Sequence, residues 1–270
     1  MKAKIATFIT LVFLVAVNLG IWSYVNNPLQ LPSWNKTMMG LTFSPMRRDS
    51  NPRKGIYPTK EQIAEDVALL VGKAHSIRTY TSLEGMEVVP ELAAKYGEHL
   101  AMGAWIDDDL EKNRREIESL INLSNQYPKA IVRTIVGNES LLRGNVEVPQ
   151  LIEYIREVKK RTWKPVSTSE TWDQWKLHPE LANEVDFIAV HILPYWEGIA
   201  LENAVDYVFE RYHDLQQTFP GKQIVLTEVG WPSDGQPYKH STASLANQAK
   251  FLREFLNRAT EENIIYYVVE

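Results

Sequence analysis

Beyond Met38 the sequence alternates short apolar runs with amphipathic stretches. The runs start about every 30 residues, the spacing of βα units. They are Gly40–Ser44, His75–Thr81, Leu100–Ile106, Ala130–Gly137, Pro165–Ser169, Phe187–Ile192, Ile224–Glu228 and Ile264–Val269. Most are nearly continuous in apolar or β-branched residues, as expected of parallel strands buried on both faces. Between them Thr59–Val71, Asp109–Tyr127, Val148–Arg161, Ala204–Thr218 and Ser244–Thr260 have helical spacing, and Thr59 opens the first with N-cap chemistry. Eight such units predict an α/β fold, a (β/α)8 barrel of about 250 residues. A doubly wound open sheet is the main alternative, but no Gly-rich phosphate loop follows the first strand.

Composition narrows what such a barrel can do. The 270 residues are 44% hydrophobic, enough for a large core. No cysteine is present, which excludes a disulfide framework, a zinc–thiolate site and a cysteine nucleophile. The net charge of −5 argues against nucleic acid as a partner. Eight Trp and twelve Tyr fit a stacking surface for sugar rings, or core and surface packing.

The first residues are a separate object. Lys2 and Lys4 precede an uncharged run from Ile5 to Val25, long enough to span a hydrocarbon layer of about 30 Å. The lysines favour a cytoplasmic N-terminus, and Trp22 and Tyr24 stand where an interfacial aromatic belt would be. A cleaved signal peptide is the rival reading, since Phe8–Val17 is short enough for its apolar core, but no A-x-A site follows. The expected organisation is an anchor or signal peptide over 1–25, a tether over 26–37 containing Pro28 and Pro32, and a barrel over 38–270. The barrel then lies on the periplasmic or extracellular side of the inner membrane, or is secreted if the segment is cleaved.

Barrels place their chemistry at the C-terminal ends of strands. The fourth run ends in Gly137-Asn138-Glu139 and the seventh in Glu228-Val229-Gly230-Trp231-Pro232. Two carboxylates at one mouth suit glycosidic cleavage, which needs one group to protonate the leaving oxygen and one base or nucleophile. Each Glu could instead cap a helix or pair with an Arg. Trp172, Trp175, Trp196 and Trp231 also follow strand ends, as a possible stacking floor.

These residues carry a resemblance. Val136–Glu139 (VGNE) and Thr227–Gly235 (TEVGWPSDG) resemble the two signature segments of glycoside hydrolase family 17. Ser76–Thr81 (SIRTYT), Val166–Ser169 (VSTS), Ala189–Trp196 (AVHILPYW) and Tyr266–Glu270 (YYVVE) resemble further strand motifs of that family, in the same order. The resemblance implies a (β/α)8 barrel and a retaining enzyme acting on β-1,3-glucan by hydrolysis or transglycosylation, without a cofactor. It implies Glu139 as general acid/base and Glu228 as nucleophile. Two close carboxylates cannot both ionise cheaply, so one stays protonated, and the resemblance gives that role to Glu139.

Other positions are expected to bind substrate. Asn138 offers an amide beside Glu139, and Arg78 and Tyr80 share a face of the second strand. Arg78 either holds Glu228 ionised or forms a structural ion pair lower in the barrel. His191 and Leu193 stand where plant members carry Asn and Tyr, which implies a reshaped subsite; Tyr195 and Trp196 border a subsite or pack the loop. Trp231 and Glu270 complete the expected set, while Glu170 is a weaker candidate pointing to the mouth. No metal is expected: His191 has no second His or carboxylate at ligand spacing in the sequence. The Asp107–Asp109 run reads as a solvated helix start.

The chain reaches Glu270 on the eighth strand with seven following helices, so the sequence predicts an incomplete chain or an exposed flank beside that strand. Two other function classes fit the barrel. One is a non-catalytic glucan-binding barrel of a larger membrane β-glucan synthesis protein, which the retention of both Glu139 and Glu228 argues against. The other, a metal-dependent hydrolase, would lose turnover to a chelator. Incubation with EDTA is expected to leave the rate unchanged, and a chelator-sensitive rate restored by a divalent cation would contradict the metal-free assignment.

Overall fold

The computed structural model describes residues 2–25, 31 and 34–269. It contains two compact units, one holding the N-terminal helix and the other the remaining chain. In the first, α1 (Lys2–Val25) is continuous, and its stretch Lys4–Val25 is long and apolar enough to cross a membrane by length and composition. Two polar side chains of α1 satisfy themselves locally: Thr10 Oγ1 donates to the Ala6 carbonyl and Asn18 Nδ2 to that of Leu14. Such i−4 bonds suit an apolar surrounding, where no water replaces them. Of the expected tether, residues 26–30, 32 and 33 lie outside the described residues.

The second unit follows the predicted alternation. Its elements are β1 (Leu41–Thr42), α2 (Lys60–Leu70), β2 (Ser76–Arg78), α3 (Val89–Tyr96), β3 (His99–Ala104), α4 (Leu110–Gln126), β4 (Ile131–Asn138), α5 (Val148–Arg161), β5 (Val166–Thr171), α6 (Trp172–Leu177), β6 (Phe187–His191), α7 (Pro194–Glu197), α8 (Leu201–Thr218), β7 (Gln223–Val229), α9 (Leu245–Glu261) and β8 (Ile265–Val268). The strands pair in parallel and in chain order, and the barrel closes where Leu41 of β1 meets Val268 of β8. Helix starts follow local chemistry. Thr59 and Gln62 form a reciprocal capping box on α2, Asp109 caps α4 and Ser244 caps α9. The Asp107–Asp109 run is therefore a helix start, with Asp107 Oδ1 accepting from the Asp109 amide at 2.9 Å.

Alternation along the strands separates two cores. Ala101, Ile135, Phe187, Ala189, Val225 and Tyr267 form a small cluster of their own. Their strand neighbours, such as Leu100, Met102, Ile188 and Leu226, belong to the large cluster that also takes in the helix faces. A period of two sends one set into the barrel and the other toward the helices. Polar residues also line buried strand positions: Ser169 Oγ donates to Thr227 Oγ1 at 3.0 Å, and Ser76 Oγ lies 3.1 Å from the Tyr267 hydroxyl.

The segment before β1 packs near β8 and α9. Arg253 of α9 donates to the Trp34 carbonyl, and the Met39 amide donates to the Tyr266 hydroxyl. At the seam a Cβ on Gly40 would lie 2.7 Å from the Tyr266 carbonyl oxygen and 2.5 Å from the Tyr267 ring. Gly40→Ala is therefore expected to destabilise the barrel by about 1–3 kcal/mol. Thermal unfolding monitored by circular dichroism reads this, and an unchanged midpoint would contradict the packing of that seam.

Candidate active site

Three irregularities in strand register coincide at one end of the barrel. The β4–β5 register shifts between Ile135 and Asn138, β6–β7 between Val190 and His191, and β7–β8 between Leu226 and Val229. A bulge re-aims the side chains beyond it. Glu139, His191 and Glu228 all emerge at these shifts. The backbone at β4 is strained as well: Gly137 has φ 89° and Glu139 has φ 53°. Gly137 tolerates that conformation, and a Cβ there would lie 2.7 Å from Ser140 Oγ. A glutamate in the left-handed region is costly and persists only where its surroundings hold it.

Glu228 is 8% exposed and tied from several sides. Arg78 Nη1 donates to Glu228 Oε1 at 2.9 Å and to the Thr227 carbonyl at 3.0 Å, and Nη2 donates to Asn138 Oδ1 at 2.5 Å. Arg78 is itself buried, with its guanidinium 4.6 Å from the Tyr80 ring centre. Burial alone would push the Glu228 carboxyl up. The His191 ring, the Arg78 guanidinium and hydrogen bonds from Arg78 and Tyr80 outweigh it and hold the carboxyl below its ordinary value. Burial, reinforced by Glu228 and opposed by Arg78, keeps the Tyr80 hydroxyl well above the usual tyrosine range, so it remains a donor at neutral pH. The ion pair that Arg78 makes is thus with Glu228 itself.

His191 joins the two carboxylates. Its Nδ1 lies 2.8 Å from Glu139 Oε1 and its Nε2 3.6 Å from Glu228 Oε1, with no ring surface exposed. One donor atom from each of Glu139, His191 and Glu228 lies within 4.8 Å of the others. The fold thus supplies His191 with carboxylate neighbours that its sequence spacing lacked, a spacing that could hold a cation. The Arg78 guanidinium bonded to Glu228 already places a positive charge against this cluster, which opposes a second one.

A cavity of about 790 Å³ opens over these groups. Thr171, Trp172 and Asp173 after β5, and Leu193, Trp196 and Glu197 after β6, form its side wall. Trp196 is 66% exposed. Glu197 Oε1 accepts from the Trp172 indole at 3.1 Å, Glu197 Oε2 accepts from the Tyr207 hydroxyl, and the Arg211 guanidinium covers Trp172 at 4.8 Å. Sequence reading missed Glu197, Tyr207 and Arg211. Only the position of Glu197 directly after the Pro194-Tyr195-Trp196 segment signalled it.

Several expected site residues lie elsewhere. Trp175 is buried and donates its indole N–H to the Ala189 carbonyl, so it cannot form a stacking floor. Trp231 is 1% exposed, donates to the Thr242 carbonyl and only borders a recess of about 180 Å³ beside Glu228. Burial leaves it no open face for a sugar ring. Tyr195 is also buried, bonded to the Gln236 carbonyl and packed edge-on against Trp196 and Trp231, so it supports the loop. Glu170 lies within β5, fully buried rather than open to the cavity, and accepts from the Leu141 and Leu142 amides of the turn after Glu139. Asn138 gives its carbonyl oxygen to Arg78, which positions it next to Glu139. Glu270 lies outside the described residues.

Arg78→Met tests the electrostatics. The folded-state value of Glu228 lies below the ordinary 4.5, so its pairing stabilises the fold above about pH 4.5 and that gain is lost as the pH falls. The variant is expected to titrate Glu228 at higher pH, read by carbon-13 carboxyl shifts, and to lose about 3–5 kcal/mol of stability. An unchanged Glu228 titration would contradict the assignment.

Comparison with known proteins adds an independent line. The description BtgE/BtgC glycoside hydrolase domain matches residues 40–270. The chain is 28% identical over 242 residues to btgC of Aspergillus niger, named as a glucan endo-1,3-beta-glucosidase, covering 79% of this chain and 35% of that protein. It thus spans about a third of the curated relative's length. A crystal structure of a family 17 β-1,3-glucanosyltransferase from Rhizomucor miehei is similar with a TM-score of 0.76 and 26% identity, 86% of each chain being covered. An active-site mutant of that enzyme in complex with laminaritriose is similar with a TM-score of 0.74 and 26% identity, covering 86% of this chain and 85% of that one. Motif order, closed parallel barrel and paired carboxylates converge with these matches, and the chain belongs to glycoside hydrolase family 17, in its BtgE/BtgC group.

Proposed function

We propose that the chain cleaves β-1,3-linked glucan by a retaining double displacement, with Glu228 as nucleophile and Glu139 as acid/base. The observation that carries this reading is the spacing of the two carboxylates. An oxygen of each lies within 4.8 Å of the other. Retaining enzymes hold the groups about 5–5.5 Å apart, whereas inverting enzymes need about 6.5–9.5 Å to admit a water. Their surroundings divide the roles: Glu228 is the more buried and is held ionised, while Glu139 is the more open to the cavity.

In the first step a Glu228 oxygen attacks the anomeric carbon. The glycosidic C–O bond breaks, and Glu139 gives its proton to the departing oxygen. In the second, the Glu139 carboxylate takes a proton from water or from a sugar hydroxyl. The resulting oxygen attacks the anomeric carbon, and the ester bond to Glu228 breaks. Water as acceptor gives hydrolysis and a sugar hydroxyl gives transglycosylation. Trp196 and Trp172 offer ring faces for sugar stacking along the cavity wall. The relatives named for β-1,3-glucan chemistry support the substrate class. The helix α1 supports a barrel tethered to the inner membrane and facing the periplasm or exterior, where it would remodel the cell's own β-glucans.

Laminari-oligosaccharides with mass-spectrometric product analysis test this. Glu228→Ala is expected to abolish shorter and longer products together, by roughly three orders of magnitude or more. Residual turnover of either kind near the wild-type rate would remove Glu228 from the nucleophile role.

A further inference from the structure

One buried carboxylate has no part in the reaction above. Glu170 of β5 is fully buried, yet it makes no salt bridge among the described residues. Its Oε1 accepts from the Leu141 amide at 3.0 Å and its Oε2 from the Leu142 amide at 3.4 Å. Those amides belong to the turn that directly follows Glu139. A buried carboxyl normally avoids such a place, because desolvation penalises its charge. Burial, reinforced by the neighbouring Glu139, pushes the Glu170 carboxyl up to about 7, against the two amides and Arg143.

The turn it holds is the strained one. Glu139 sits at φ 53°, its amide bonded to the Ser169 carbonyl of β5 at 2.7 Å. Ser169 and Glu170 are adjacent on β5, so one strand grips Glu139 by its amide and the following turn by a carboxylate. Arg143 closes the other side. It donates to the Asn138 and Ile106 carbonyls, and its guanidinium lies over the Trp105 ring at 4.3 Å. The charged groups facing Glu170 are Glu139 and Arg143.

We propose that Glu170 is a positioning residue for the acid/base: from behind the β4 turn its carboxyl group holds the Leu141 and Leu142 amides and so fixes Glu139 in its left-handed conformation. The inference rests on reading Glu139 as the acid/base.

Glu170→Gln in the full chain keeps the shape and one acceptor oxygen but sets a side-chain N–H against the second backbone amide. Two substrates separate the possibilities: laminari-oligosaccharides, whose leaving group needs a proton, and 2,4-dinitrophenyl β-laminaribioside, whose leaving group does not. On the oligosaccharides kcat/KM is expected to fall roughly tenfold or more, because the turn no longer holds the proton donor at the leaving oxygen. On the dinitrophenyl substrate kcat/KM should stay within about twofold of wild type, since acid assistance is worth little there. Glu170→Ala, which also frees the two amides, should lose more on both substrates. A wild-type rate on the oligosaccharides in Glu170→Gln, or equal loss on both substrates, would overturn the inference. Glu139→Ala is the control. If it loses both substrates alike, the acid/base reading fails and takes this inference with it. If it spares the dinitrophenyl substrate while Glu170→Gln keeps the wild-type rate on the oligosaccharides, only the inference about Glu170 fails.

Discussion

The guanidinium of Arg78 is the interaction on which the rest of the site depends. It leaves β2, crosses the barrel interior, and binds the Glu228 carboxylate, the Thr227 carbonyl and the Asn138 side chain at once. A buried cation with one partner would be costly. Here its partners come from β7 and from β4, the strand that leads into Glu139. Together with the His191 ring, that charge holds the Glu228 carboxyl below its ordinary value, and it couples the ends of β4 and β7.

Around that charge the barrel converts small irregularities of register into a site. Ideal parallel pairing would leave Glu139, His191 and Glu228 on schedule with their neighbours. The shifts at the ends of β4, β6 and β7 gather them instead around one point. Gly137 and the left-handed Glu139 show the strain of that arrangement, and the buried contacts of Ser169, Arg143 and Ser140 hold it. Ala101, Ile135, Phe187, Ala189, Val225 and Tyr267 pack together within the barrel, and Arg78, Glu139, His191 and Glu228 gather at its mouth, as electrostatic preorganisation requires.

Much of this was legible in the sequence. The βα period predicted the barrel, and α5 begins and ends where its amphipathic stretch does. The short helices α3, α6 and α7 were missed, because elements of four to eight residues carry too few turns for a period to show. Glu139 and Glu228 could be read because their strand ends mark the mouth. Trp175, Trp231 and Tyr195 could not be placed correctly, since position after a strand does not reveal which way an aromatic ring turns. All three turn into the packed loops, while Trp196 and Trp172 border the cavity. His191 was seen as a subsite residue; only the fold shows it set between two carboxylates more than thirty residues away on either side.

The central claim is that Glu228 becomes covalently bonded to sugar. Incubation with 2-deoxy-2-fluoro-β-laminaribiosyl fluoride tests it most directly, because the fluorine at C2 slows the second step while fluoride leaves readily in the first. Intact-mass spectrometry should then show one added glycosyl unit, and peptide mapping should place it on Glu228. A label on another residue, or steady turnover with no adduct and a product of inverted anomeric configuration, would contradict the account.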